Sequence, residues 1–417
     1  MRGSRGVMTE IAGVAGTKPF LPPLRRGAPL VALCGLALAY AWVAIPMTLI
    51  PRAGWRTAFG GLVGNDFLAF YSAGLLALRH LSAEAYDVTR LFAFQDAVSG
   101  TESHLPFPYP PHFLLLAAPF ATLPYLPALV AWIVATTAPF VLLVRKMSGL
   151  AIPLAALAPP LIQNAIDGQN GALTASLFAG GLMLLVGRRP LLAGAVFALL
   201  TYKPQVFVLI PICLLAAREY RAFAALVATG LALLVASFAA FGIDIWWRFA
   251  AYLPEQMAFI LQGRLPVSRC PTIFMLIFAT TGNIAAADIA QACSTLAAWA
   301  LVWWSWRRTP AIFPRALAFC VAMPLSTPYM LEYDLAVWAL PAAILMVRCA
   351  RGQCVGADWA ALTALWLLPP AIWLMSLTGW HLSVLSVVAL APYAIWAVRR
   401  ESLAHPTPRG PLADATI

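Results

Sequence analysis

Seven small basic groups punctuate a chain that is otherwise a succession of apolar runs: Arg25/Arg26, Arg145/Lys146, Arg188/Arg189, Arg218/Arg221, Arg307/Arg308, Arg348/Arg351 and Arg399/Arg400. Apolar runs of ~17 to 25 residues match the hydrocarbon core of a bilayer, and Lys and Arg beside them mark the cytosolic side. If all seven groups are cytosolic, the chain crosses an even number of times between successive groups. The spans then fall at 30–50, 125–144, 150–162, 172–186, 191–202, 206–216, 222–241, 284–304, 312–325, 335–346, 359–375 and 382–398. This predicts an all-α polytopic membrane protein with about twelve transmembrane helices and both termini in the cytosol.

Composition agrees, since 62% of residues are hydrophobic and 10% charged, against roughly 25% charged in a soluble globule. The net charge of +11 does not point to nucleic acid, because the cations form scattered pairs rather than one patch. The seven cysteines include no Cys-x-x-Cys, and Cys34, Cys213, Cys293 and Cys320 lie inside apolar runs. They read as small packing residues. Residues 1–28 read as a basic cytosolic leader, 29–400 as a single transmembrane domain, and 401–417, rich in Pro and Gly, as a disordered cytosolic tail.

The segment 51–111 is too long for a simple connection and forms a first external loop. Within it Phe67, Phe70, Tyr71, Gly74, Leu75 and Leu78 recur at helical spacing, as do Val88, Leu91, Phe92 and Gln95. Two amphipathic helices lying in the membrane interface are expected here. Asp66, Asp87, His112, Asp167, Gln169, Asn170, Lys203, Gln205, Arg264, Arg269, Glu332, Asp334 and His381 all fall at span ends opposite the basic groups. The polar chemistry therefore gathers at the outer face.

Several of these residues sit in an ordered series: Asn65-Asp66-Phe67 with Tyr71-Ser72-Ala73-Gly74, Ala85-Tyr86-Asp87, Tyr109-Pro110-Pro111-His112-Phe113, Gly168-Gln169-Asn170, Tyr202-Lys203-Pro204-Gln205, and Pro328-Tyr329 before Tyr333-Asp334-Leu335. The series resembles glycosyltransferase family 87, which includes polyprenyl-phosphate-mannose-dependent α-mannosyltransferases. The resemblance spans roughly residues 60 to 340 and departs from the family at Arg79-His80-Leu81-Ser82-Ala83-Glu84. It implies a GT-C-type glycosyltransferase fold in the bacterial inner membrane and a site facing the periplasm or cell exterior. It also implies inverting transfer of a sugar, mannose above others, from a polyprenyl-phosphate donor to a lipid or glycan acceptor. The catalytic base in the first external loop maps onto Asp66.

That chemistry suits the residue types. A sugar phosphate leaves as phosphate and needs no general acid, so one carboxylate to take the acceptor proton and cations to hold the phosphate suffice. Asp66 is the candidate base, its competing reading being the cap of a helix starting at Phe67. Candidate substrate contacts are Asp87, His112, Gln169, Asn170, Lys203, Gln205, Arg264, Arg269 and Asp334. Asp87 also reads as the N-cap of a helix from Val88, and Lys203 as a residue snorkelling to the surface. The Asp167-Gly168-Gln169-Asn170 segment also reads as a simple turn. Glu332 and Asp334 could hold a divalent metal, but no third ligand follows and a monophosphate donor has little need of one; no metal or cofactor is expected. A transporter or lipid flippase is the competing class. It would place binding groups at the midplane on repeat-related broken helices, and no repeat is visible.

Overall fold

The computed structural model describes residues 27–100, 104–262, 267–376 and 383–404. These residues are mainly helical; the one β-type pairing among them is an isolated bridge between Arg56 and Leu62. The helices run α1 (Ala28–Thr48), α2 (Phe67–Leu78), α3 (Val88–Ser99), α4 (Leu114–Ala121), α5 (Tyr125–Ser148), α6 (Ile152–Ala156), α7 (Pro159–Asp167), α8 (Gly171–Val186) and α9 (Pro190–Ala198). They continue with α10 (Pro204–Phe207), α11 (Leu209–Ala216), α12 (Tyr220–Phe241), α13 (Asp244–Leu261), α14 (Ile273–Thr281), α15 (Ile284–Arg308) and α16 (Ile312–Leu325). The last are α17 (Ala339–Ala350), preceded by the 3-10 turn Glu332–Trp338, then α18 (Gly356–Ser376) and α19 (Ser383–Ala404). In a bilayer this architecture satisfies backbone groups within each segment. Most of the expected leader and tail lies outside the described residues; α19 includes residues 401–404, which the sequence assigned to the tail.

Among the described residues, seven helices are long and apolar enough to cross a membrane: Ala28–Thr48, Tyr125–Ser148, Tyr220–Phe241, Ile284–Arg308, Glu332–Ala350, Gly356–Ser376 and Ser383–Leu403. The expected spans at 172–186, 191–202, 206–216 and 312–325 appear as shorter apolar helices. The expected span 150–162 is not one helix. It breaks between α6 and α7 because Pro159 and Pro160 can open a helix but cannot continue one. Lys203, at φ −126° and ψ 77°, interrupts the helical path between Tyr202 and Pro204 in the same way.

The first external loop differs from expectation in one element. Helix α3 is one-sided, burying Leu91 and Gln95. Helix α2 instead buries Phe67 through Gly74 together with Leu76. An element apolar on every side belongs in a core rather than an interface, and α2 packs there against α4 and the aromatic group of Phe113, Tyr125 and Trp132. Two helices that the sequence left as loop, α13 and α14, cover the same end of the molecule.

Two long spans tie the polar end of the bundle to the basic end. Tyr125, at the start of α5, donates its hydroxyl to the carbonyls of Val63 and Gly64, while Arg145 and Lys146 close the last turn. Glu332 and Asp334 open the span that ends near Arg348, roughly 30 Å away by helical rise. Arg348 pairs there with Glu401, and Arg400 with Asp358. Cys349 and Cys354 form a disulfide across the turn after α17, so these two are a covalent staple rather than the packing residues expected.

Candidate active site

A cavity of about 500 Å³ opens among the segment before α2, the turn between α7 and α8, the break at Lys203, the 3-10 turn Val267–Arg269 and the segment leading into α17. This volume lies within the range of small-molecule sites. Its wall carries the polar side chains of Asn65, Asp66, Gln169, Lys203, Arg269 and Asp334 together with Tyr109, Tyr329 and Tyr333. The wall also includes apolar residues, Leu105, Pro106 and Pro108 from the segment before α4 and Leu253, Met257 and Ile260 from α13, with His104 and Gln256 beside them.

Asp66 precedes α2 but does not cap it: its side chain bonds no backbone amide of that helix. The carboxylate instead accepts from Gln169 Nε2 at 3.0 Å and from Asn65 Nδ2 at 3.3 Å. Its backbone amide donates to the carbonyl of Asp167 at 3.0 Å. That contact requires the α7–α8 turn to come close. Gly168 permits it with φ +67°, a conformation costly for other residues, and a Cβ there would meet the Cβ of Phe67 at 2.8 Å. Burial pushes the Asp66 carboxyl up to about 6, and the nearby charge of Asp167 adds to the rise, while Arg269, Gln169 and Asn65 pull it back.

Gln169 is fully engaged. Its Oε1 accepts from the Asn170 amide at 3.1 Å and from the Tyr109 hydroxyl at 3.4 Å, while Nε2 also donates to the Tyr333 hydroxyl at 3.2 Å. The backbone amide needs an acceptor and the carboxylate a donor, so the orientation of this side chain is determined.

Lys203 is buried and does not snorkel. Its ammonium donates to Asn170 Oδ1 at 2.7 Å and to Asp334, forming an ion pair 131 residues apart in sequence. Asn170 is buried behind the lysine rather than on the cavity wall. Arg269 is held by two carboxylates, Glu332 through Nε at 2.7 Å and through Nη2, and Asp167 through Nη2 at 3.0 Å. Gln163 donates to Asp167 Oδ2 at 3.0 Å and receives the hydroxyl of Tyr40 from α1. Glu332 and Asp334 thus serve different cations instead of facing one another. Among the described residues the cluster has four carboxylates, Asp66, Asp167, Glu332 and Asp334, against the two cations Lys203 and Arg269.

Of the residues singled out from sequence, Asp66, Gln169, Lys203, Gln205, Arg269 and Asp334 line the cavity. Asp87 does not. It caps α3, accepting from the Arg90 amide at 3.1 Å, and pairs with the Arg90 side chain at 3.4 Å. Nor does His112, because the 3-10 turn Pro111–Phe113 places its ring against Trp246, with Nε2 3.2 Å from Thr201 Oγ1. Arg264 and His381 lie outside the described residues. Sequence reasoning did not single out the tyrosines, Asn65 or the α13 wall. Tyr109 and Tyr333 stood inside the quoted motifs, and the capacity of Tyr to offer both an apolar face and a hydroxyl was the available signal.

Comparison with curated proteins and with solved structures gives no match. The profile of glycosyltransferase family 87 matches residues 107–331, more than half of the chain. The matched stretch carries Tyr109, Gln169, Lys203, Gln205 and Arg269; Asp66 precedes it and Asp334 follows it. With a family profile over this stretch and a polytopic helical architecture around it, the chain belongs to glycosyltransferase family 87 and is a membrane glycosyltransferase.

Proposed function

We propose that this enzyme transfers a sugar, mannose above others, from a polyprenyl-phosphate donor to a lipid or glycan acceptor at the outer face of the membrane, with inversion at the anomeric carbon. The observation that carries the reading is the carboxylate of Asp66. It caps nothing, is held by two side-chain amides, and lines a cavity whose wall carries both polar and apolar residues.

In this reaction the acceptor hydroxyl attacks the anomeric carbon as its proton passes to Asp66. The bond from that carbon to the phosphate oxygen breaks, and its electron pair leaves with the phosphate. The donor is a phosphodiester with one negative charge and the product a phosphomonoester able to carry two. Neutralisation of Asp66 offsets the charge that the leaving phosphate gains, so the net charge of the site is unchanged across the step. Arg269 and Lys203, both on the cavity wall, are the groups for the phosphate. Tyr109, Tyr333 and Gln169 surround the position of the sugar, and Leu253, Met257 and Ile260 face the first isoprene units.

The grouping of these residues at one end of the span Glu332–Ala350, rather than at its middle, favours transfer chemistry over transport. The test is incubation of purified protein with labelled polyprenyl-phosphate mannose and a total lipid extract. Label should move to an acceptor with the parent protein and not with Asp66→Asn. Transfer of label by neither, with donor still bound by the parent, would point to another sugar; failure of the parent to bind any polyprenyl phosphate would remove the donor assignment.

A further inference from the structure

Arg269 is held by one carboxylate more than its charge requires, and the two carboxylates are not equivalent. Glu332 is wholly buried at the start of the 3-10 turn Glu332–Trp338, and its Oε2 already lacks a partner. Taking the arginine from it would strand a buried charge, which is strongly destabilising. Asp167 is partly exposed, with 13% of its side chain accessible. The oxygen it offers to Arg269 also accepts from Gln163 at 3.0 Å, so it keeps a hydrogen bond if the arginine turns away. Glu332 engages Nε and Nη2, whereas Asp167 engages Nη2 alone. Among the described residues none hydrogen-bonds to Nη1. The edge formed by Nη1 and Nη2 matches two oxygens of a phosphate.

Resting on the donor assignment above, we propose that Asp167 is a displaceable stand-in for the donor phosphate: Glu332 anchors Arg269 permanently, and an arriving lipid phosphate replaces Asp167 on the Nη edge. The pairing of Arg269 with two carboxylates at once favours such an exchange. Among the described residues the site holds four carboxylates against two cations, and Lys203 already gives two of its three N–H donors to Asp334 and Asn170. A phosphate approaching Arg269 while Asp167 still holds Nη2 would meet that carboxylate's charge directly. Asp167 thereby acts as a positioning residue with two effects: it keeps Arg269 aligned before a ligand arrives, and it competes with that ligand.

The test uses the full chain in detergent with farnesyl phosphate as probe, and inorganic phosphate in parallel to separate a lipid headgroup from a free anion. Asp167→Asn keeps the size of the side chain and an oxygen for Gln163 but removes the competing charge. It should bind farnesyl phosphate about three- to tenfold more tightly than the parent, whereas Glu332→Gln should bind it more weakly. The acid limb of the transfer reaction should also move to lower pH in Asp167→Asn, because a charge that raises Asp66 has gone; a purely structural role would not produce both effects. Should Asp167→Asn fold poorly, judged by thermal unfolding, Asp167→Ser serves the same comparison. Binding by the variant equal to or weaker than that of the parent overturns the stand-in role alone. Absence of farnesyl phosphate binding by the parent overturns the donor assignment and this inference with it. Equal gain for inorganic and farnesyl phosphate still supports the exchange and places recognition in the phosphate group.

Discussion

The side-chain amide of Gln169 stands 3.0 Å from the carboxylate of Asp66 and joins two segments 103 residues apart in the chain. Because the same nitrogen reaches Tyr333 at 3.2 Å, one residue holds the carboxylate of Asp66 and links it to the segment that carries Asp334. Replacing Gln169 with Glu keeps the length of the side chain but exchanges the donor for a second carboxylate. Like charges at that distance cannot both ionise freely, so the proton affinity of Asp66 should rise. The expected result is a fall in turnover at neutral pH by about ten- to a hundredfold and a displaced acid limb, measured as the pH profile of kcat/KM. An unchanged profile would show that the two side chains are not coupled in solution.

Asp66→Asn separates catalysis from structure. The carboxylate caps no helix, so the substitution should leave stability nearly unaltered, and Asn still accepts from Gln169. Loss of the proton acceptor should lower turnover by roughly a hundredfold or more with donor affinity retained. Normal turnover in a folded, donor-binding Asp66→Asn protein would remove Asp66 from the mechanism.

The parent enzyme should lose activity as the medium is acidified through pH 6. The Asp66 carboxyl is pushed up to about 6, by burial first and then by Asp167, and a base works only when deprotonated. Transfer should therefore climb as pH rises through that value and level off above it. An acid limb near pH ~4, the range of an unperturbed carboxyl, would mean that the working base is better solvated than Asp66 is here.

Much of the scaffold was legible because apolar runs and prolines report directly on helices. The spans at 30–50, 125–144 and 222–241 reappear within a few residues as α1, α5 and α12. Helix α13 was not legible: Asp244, Arg248, Pro254 and Glu255 within it mimic a loop, and its helicity comes from an apolar face set against the site. For α2 the spacing announced a helix but not its burial, which depends on partners distant in sequence. The six cavity-lining residues were visible as polar groups at one end of the spans. Their pairings were not, since nothing local in the sequence ties Lys203 to Asp334 or Arg269 to Asp167 and Glu332.

That pairing changes what a Lys203 substitution will do. Lys203→Met strands Asp334, which is buried and bonded to the lysine, and breaking such a pair costs about 3 to 5 kcal/mol. The single variant should unfold at markedly lower temperature in detergent. Adding Asp334→Asn removes the uncompensated charge, so the double variant should recover most of the lost stability while still binding farnesyl phosphate more weakly than the parent. Full stability in the single variant would mean that Asp334 finds another partner or a proton at little cost. Parent-like phosphate affinity in the double variant would take Lys203 out of the phosphate site.

Gly171 tests whether the site depends on the close approach of α8 to the segment before α17. A Cβ at this position would lie 2.3 Å from the carbonyl oxygen of Tyr333 and 2.9 Å from Asn164 Nδ2, distances no real contact sustains. The obstacle is backbone on one side, so the segment must move. Tyr333 and Asp334 move with it, and these hold the far end of the Gln169 contact and the partner of Lys203. Gly171→Ala should therefore cost about 1 to 3 kcal/mol of stability, as overpacking does. It should also lower turnover well beyond what that loss explains at a temperature where the protein remains folded, because the contacts that orient Asp66 and Lys203 are displaced together. Thermal unfolding and transfer rates measured on the same preparation give both quantities. A variant that loses stability but keeps its rate would show that the two segments can part without disturbing Asp66.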